Sequence, residues 1–217
     1  MTRIKICGIR DESHALAVAE AGADFIGLVF ASSPRQVTPA QAEKIVSALK
    51  KNKSDIEVVG VFVNTPASKV NKIADFCHLD WVQLSGDEPW GNCRNLATPV
   101  IKAIRVSRHH RPEQICADLI YGTKILDTQK HLFLLDTSAR DKYGGTGRTF
   151  DWNLAKPIAE QFTVIVAGGL TPRNIAEAIR TASPWGVDVS SGVETRGVKD
   201  IAKVRKFVKA VREADDG

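Results

Sequence analysis

Eight short apolar runs, most rich in β-branched residues, recur along the chain, and a helix-like stripe follows nearly every one. The runs are Ile4–Cys7, Asp24–Phe30, Ile56–Val63, Asp80–Leu84, Pro99–Val106, His131–Leu135 running into Asp136, Val164–Val166 and Gly186–Val189. Near-continuous hydrophobic runs of this length suit parallel strands buried on both faces. Strand and helix alternating eight times predict an α/β protein, a single (β/α)8 TIM barrel occupying residues 1–217 as one domain. A doubly wound open sheet would normally carry a glycine fingerprint after its first strand, and Cys7-Gly8-Ile9 is not one.

The helices carry their own signals. Thr38-Pro39-Ala40-Gln41 reads as a capping box with proline at the first helical position, followed by the stripe Ala42, Ile45, Val46, Leu49. Thr65-Pro66 and Thr171-Pro172 predict two more helices opened by the same device. A helix is expected from Asp11 to Ala21 with Gly22 closing it. Others are expected over Trp90–Leu96, Pro112–Leu119, after Asp151 (Ala155, Ile158, Ala159, Phe162) and over Val198–Ala214.

Charge and cysteine usage narrow the partners. The net charge of +5 comes without aromatic platforms, aromatics being 6% of residues, and without a groove-reading motif. Nucleic acid is therefore not an expected partner. A modest positive surplus suits a small anionic substrate. No apolar run is long enough to span a bilayer, and MTRIKICGIR lacks the apolar core of a signal peptide. Cys7, Cys77, Cys93 and Cys116 are scattered, with no C-x-x-C. Neither a zinc site nor a disulfide framework is indicated, which places the chain in a reducing cytoplasm. His109-His110 lies in a basic loop, where solvated histidines are the ordinary case.

Several polar residues stand at strand exits. Strand alternation puts Arg3, Lys5 and Cys7 on one face and Ile4 and Ile6 on the other, so Lys5 and Cys7 line the barrel. Cys7, Arg35 and Asp136 converge on one mouth. Cys7 is either a small buried hydrophobe or, beside an ammonium, a base or nucleophile. Asp136 is a cap, a partner for Lys5, or a carboxyl whose pKa is raised for general acid work. Arg35 is a loop arginine or a carboxylate fork. Gly168-Gly169 and Ser190-Ser191-Gly192 end adjacent strands. They are two tight turns, or a cradle of backbone N–H groups around a phosphate.

Taken together, a set of segments resembles the phosphoribosylanthranilate isomerase family. They are Lys5-Ile6-Cys7-Gly8-Ile9, Gly27-Leu28-Val29-Phe30 with Ser33-Pro34-Arg35, Val61-Phe62-Val63-Asn64, and Val82-Gln83-Leu84 with Gly86. Leu135-Asp136, Gly144-Gly145-Thr146-Gly147 with Phe150-Asp151-Trp152, Ala167-Gly168-Gly169-Leu170 and Asp188-Val189-Ser190-Ser191-Gly192-Val193-Glu194 complete it. The match runs in order from about residue 3 to 212. Many members have histidine after Gln-Leu, where this chain has Ser85.

The resemblance implies an Amadori rearrangement of N-(5-phosphoribosyl)anthranilate to the 1-deoxyribulose 5-phosphate form, in tryptophan biosynthesis, without cofactor or metal. It implies Asp136 as general acid, Cys7 as general base, and Arg35 on the anthranilate carboxylate. Backbone around Gly168, Gly169, Ser190, Ser191 and Gly192 is implied to hold the phosphate. The expected partner is the phosphosugar-anthranilate alone, with the protein a monomer or homodimer. A different sugar-phosphate barrel isomerase would share the phosphate turns but not Cys7 with Arg35. A non-catalytic phosphosugar-binding barrel would bind without turnover.

Overall fold

In the computed structural model, residues 1–107, 109–127, 129–137 and 151–217 are described. Gly144-Gly145-Thr146-Gly147 and Phe150 lie outside the described residues. The eight runs form strands β1 (Arg3–Cys7), β2 (Phe25–Val29), β3 (Glu57–Phe62), β4 (Trp81–Leu84), β5 (Val100–Val106), β6 (His131–Thr137), β7 (Val164–Val166) and β8 (Gly186–Val189). Each pairs in parallel with the next, and β8 closes on β1 with Ile4 opposite Val187 and Lys5 opposite Asp188.

Strand parity sorts the side chains into two cores. Ile4, Ile6, Ile26, Leu28 and Leu135 pack outward with helix residues such as Val18, Ile45, Val204 and Phe207. Phe25, Val59, Trp81, Ile101, Leu132, Leu134 and Ile165 pack together inside the barrel. Above them, at the C-terminal ends of β1 to β3, lies a smaller cluster of Cys7, Val29 and Val61. Filled layers make the barrel a packed core with its chemistry confined to the mouth.

The helices are α1 (Glu12–Glu20), α2 (Pro39–Lys51), α3 (Ala67–Phe76), α4 (Trp90–Arg94), α5 (Pro112–Leu126), α6 (Lys156–Ala159), α7 (Ile175–Ala182) and α8 (Ile201–Asp215). The α2 capping box forms as expected, Gln41 N–H donating to Thr38 Oγ1 at 3.2 Å and Thr38 N–H to Gln41 Oε1 at 2.8 Å. In α1, Asp11 is the N-cap, and Gly22 follows the C-cap Ala21 with φ +89°.

Other helix boundaries differ from expectation for local reasons. Pro66 rather than Thr65 caps α3, without a side-chain bond. Thr171-Pro172 does not open α7. Thr171 N–H donates to Asn174 Oδ1 at 2.7 Å and Asn174 Nδ2 donates to Gly169 O at 3.0 Å, which holds a turn and delays the helix to Ile175. Asp151 caps a single 3₁₀ turn, Trp152–Leu154, before the short α6. α5 runs on to Leu126, beyond the expected end at Leu119. Val198 belongs to no helix. Glu194–Thr195 (β9) and Val198–Lys199 (β10) pair as an antiparallel hairpin, turned by Arg196 and Gly197 at φ +53° and +78°. α8 starts after it, capped by Asp200.

Candidate active site

Cys7 ends β1 with its side chain pointing into the mouth, only 9% exposed. Gly27 stands opposite it on β2, and a Cβ built there would lie 2.8 Å from the thiol sulfur. Glycine at 27 therefore leaves the space the thiol occupies. Two residues below, Lys5 is 1% exposed and donates to Asp188 Oδ1 at 2.9 Å. A lysine inside a barrel is tolerable when paired in this way.

The charges around Cys7 oppose one another. Burial pushes the thiol up, while Lys5 and Lys199 pull it back, and the balance lies above the ordinary thiol range. Lys5 is drawn down by burial, but Asp188 and Cys7 overcome this and hold it above its usual value. The ammonium thus does favour the thiolate, as expected from the strand pattern. Desolvation nevertheless outweighs it.

Asp136 stands near the end of β6, with β7 and β8 between it and β1. Burial, then repulsion from Asp188, raises its carboxyl to about 6, against the N–H that Thr137 donates to Oδ1 at 2.8 Å. Asp136 is therefore poised near neutrality, where a general acid works best.

The small-residue turns meet. Gly168 and Gly169 have φ +91° and +64°. A Cβ at Gly168 would overlap the Thr137 side chain, and one at Gly192 would overlap the Leu170 carbonyl. Only glycine lets the exits of β6, β7 and β8 pack this closely. Among the described residues, the N–H groups of Gly168 and Gly169 donate to no protein acceptor. Ser190 spends its hydroxyl on the Cys7 carbonyl at 3.0 Å, so its side chain ties β8 to β1. Ser191 and Gly192 lie in a 3₁₀ turn beside it.

Arg35 lies in the β2 exit loop, where Nε and Nη2 donate to Glu194 at 2.7 and 2.8 Å. Glu194 also accepts from Lys199 Nζ at 2.7 Å. Burial alone would raise the Glu194 carboxyl, yet Arg35 and Lys199 bring it down to about 2.

Asp188 and Glu194 stand in the last of the resembling segments, but the sequence assigns no role to them or to Lys199. An interior Lys5 called for a carboxylate on a neighbouring strand, and barrel closure makes β8 that neighbour. Nothing in the local pattern announced the β9–β10 hairpin except Arg196-Gly197. A further buried pair, Glu88 with Lys102 at 3.1 Å, also went unread. Glu88 accepts the N–H groups of Asn64 at 2.6 Å and Gly86 at 2.9 Å, binding the β3 and β4 exits together. Ser85 accepts from Gln83 Nε2 at 2.9 Å, and Gln83 Oε1 is buried without a partner. Among the described residues no cluster of His, Cys, Asp or Glu could hold a metal ion, and no helix is long and apolar enough to cross a membrane.

A family model described as N-(5'phosphoribosyl)anthranilate (PRA) isomerase matches residues 4–210. The chain is 46% identical over 215 residues to the N-(5'-phosphoribosyl)anthranilate isomerase of Dehalococcoides mccartyi, covering 99% of this chain and 98% of the relative. It is 46% identical over 221 residues to that of Roseiflexus sp., with 99% of each covered. The crystal structure of phosphoribosyl anthranilate isomerase from Thermotoga maritima superposes with a TM-score of 0.85 at 37% identity, covering 98% of this chain and all of that one. A crystal structure of a phosphoribosyl anthranilate isomerase in complex with reduced 1-(o-carboxyphenylamino)-1-deoxyribulose 5-phosphate gives a TM-score of 0.81 at 36% identity, covering 98% of this chain and 100% of that one. From its first strand to its last helix, this chain belongs to the N-(5'-phosphoribosyl)anthranilate isomerase family.

Proposed function

We propose that Asp136 and Cys7 carry the two proton transfers of the family's reaction in this chain. Family membership makes it an isomerase of tryptophan biosynthesis, acting on N-(5'-phosphoribosyl)anthranilate. Asp136 protonates the furanose ring oxygen as the C1–O bond breaks, and the nitrogen lone pair forms the C1=N bond of a protonated Schiff base. Cys7, as thiolate, removes the proton from C2. The C2–H electrons form the C1=C2 bond, and the C=N electrons return to nitrogen. The resulting enolamine tautomerises to the 2-ketone.

The observation that carries this reading is the split environment on either side of the Lys5–Asp188 pair. Asp188 raises Asp136, while Lys5 favours the thiolate of Cys7. With the thiol raised and the carboxyl near 6, the thiol and carboxylate forms predominate at neutral pH. The working form is their proton-shifted partner, thiolate with carboxylic acid, and the two groups titrate as a coupled pair.

Arg35 holds the anthranilate carboxylate in this reading, and the phosphate sits on backbone N–H groups around Gly168, Gly169, Ser190, Ser191 and Gly192. Glycines that bring the three turns together support this cradle. The substrate is a small anion, and neither nucleic acid nor membrane is a partner. The protein works in the cytoplasm as a monomer or homodimer; the related Thermotoga maritima enzyme is described as dimeric. Turnover of freshly made phosphoribosylanthranilate by the purified protein tests the reading. Tight binding without turnover would point instead to a phosphosugar-binding barrel.

A further inference from the structure

Arg35 is anchored from beneath. Its stem crosses the end of β1, where a Cβ at Gly8 would sit 2.5 Å from Arg35 Cδ. Gly8, at φ +85°, therefore allows the arginine to lie low over the mouth. From there both Nε and Nη2 reach Glu194. Lys199 grips Glu194 from the other side and donates to the Ser190 carbonyl at 2.9 Å. The second residue of the hairpin's other strand thus locks the carboxylate to the loop that also bonds Cys7.

Exposure separates anchor from working end. The Glu194 and Lys199 side chains are 6% and 3% exposed, while Arg35 is 20% exposed. A guanidinium presents several paired N–H edges, and Glu194 consumes the one formed by Nε and Nη2. Among the described residues Nη1 donates to no acceptor, so the end edge stays open. That edge matches a carboxylate in the two-pronged geometry that lysine cannot offer. Two cations and one carboxylate leave a single positive charge, which an incoming carboxylate neutralises.

We infer that Glu194 is a positioning residue that, braced by Lys199, aims the end edge of Arg35 at the substrate's aryl carboxylate and so sets selectivity for a carboxylate-bearing aryl amine. This rests on the reading of Arg35 as the carboxylate holder. Without Glu194 the guanidinium keeps its charge but loses its fixed direction. Attraction then survives while selectivity falls.

The test compares two inert ligands, the reduced aminodeoxyribulose phosphate carrying o-carboxyphenyl and the same compound carrying phenyl. Dissociation constants are measured for the wild type, Glu194→Gln, Glu194→Asp and Arg35→Met, with kcat and KM on the natural substrate. Glu194→Gln is expected to weaken the carboxylate ligand roughly tenfold, the scale of one charged hydrogen bond, and the phenyl ligand less than about twofold. KM should rise more than kcat falls. Glu194→Asp, which keeps the charge on a shorter arm, should fall between, and it serves if the glutamine variant does not fold. Equal weakening of both ligands, or no change in either, overturns the inference. If Arg35→Met discriminates between the ligands and neither Glu194 variant does, only the positioning role fails. If Arg35→Met does not discriminate, the carboxylate-holding role fails with it.

Discussion

Lys5 and Asp188 face each other across the seam where the last strand closes on the first, Nζ to Oδ1 at 2.9 Å. Cys7 lies two residues beyond Lys5 on the same strand face, and Asp136 feels the charge of Asp188. One ion pair thereby reaches both proton-transfer groups with opposite signs. Replacing Lys5 by Met would leave Asp188 buried without its cation, a change that typically costs about 3–5 kcal/mol. It would also remove the pull toward thiolate. Lys5→Met should therefore lower both thermal stability and kcat, and a variant of unchanged melting temperature would contradict the pairing.

Asp136→Asn should separate chemistry from stability. The amide cannot release a proton to the ring oxygen, so kcat should fall on the order of 10²–10⁴-fold with the fold intact. Stability should move the other way. The folded carboxyl holds its proton up to about 6, against roughly 4 when unfolded. Wild-type stability therefore falls as pH rises between those values and stays reduced above them. At pH 8 the asparagine variant should be more stable by about 3 kcal/mol, an advantage that largely disappears near pH 4. Denaturant melts at the two pH values check the sign.

Gly27→Ala tests whether the thiol needs the space it has. The added methyl would press on Cys7, whose sulfur lies 2.8 Å from the built Cβ. Displacing the base by a fraction of an ångström should lower kcat by up to about 10²-fold while ligand binding persists. An unchanged kcat would mean that the thiol position is not critical.

The residues that could be placed from sequence are those whose position depends on local pattern. Strand parity put Lys5 and Cys7 in the barrel because alternation fixes facing within five residues. The α2 cap was legible because all its partners lie within four positions. Asp188 was not, since its meaning arises only when a strand 183 residues away closes beside it. Arg35 was seen as a carboxylate fork, but its anchor Glu194 lies 159 residues on, in a two-residue strand too short to show periodicity. Asn174 defeated the Thr171-Pro172 signal because its side-chain bonds to backbone three and five residues away outcompeted a helix start. Long-range pairing is most of what the chain alone withheld, and the Asn174 turn is a local exception.

The role of Cys7 decides between a base and a small buried hydrophobe. If it only packs, Cys7→Ser should cost some stability and little catalysis. If it is the base, a serine hydroxyl is far too weakly acidic to replace the thiolate, and turnover should collapse while the protein still binds the reduced product analogue. The pH profile adds a second check. The reactive form needs Asp136 protonated and Cys7 ionised, so kcat/KM should be bell-shaped, with an acidic limb near 6 and an alkaline limb above the ordinary thiol range. These limbs belong to the coupled pair. Asp136→Asn should abolish the alkaline limb and leave a single rise that follows Cys7 ionisation. Alkylation should be slow at neutral pH, accelerate with alkali, and be blocked by a phosphate-bearing ligand. Cys77, Cys93 and Cys116 are buried with raised thiols as well, so peptide mapping must identify the labelled residue, and ligand protection should be confined to Cys7. Full turnover in Cys7→Ser would place the base elsewhere in the mouth.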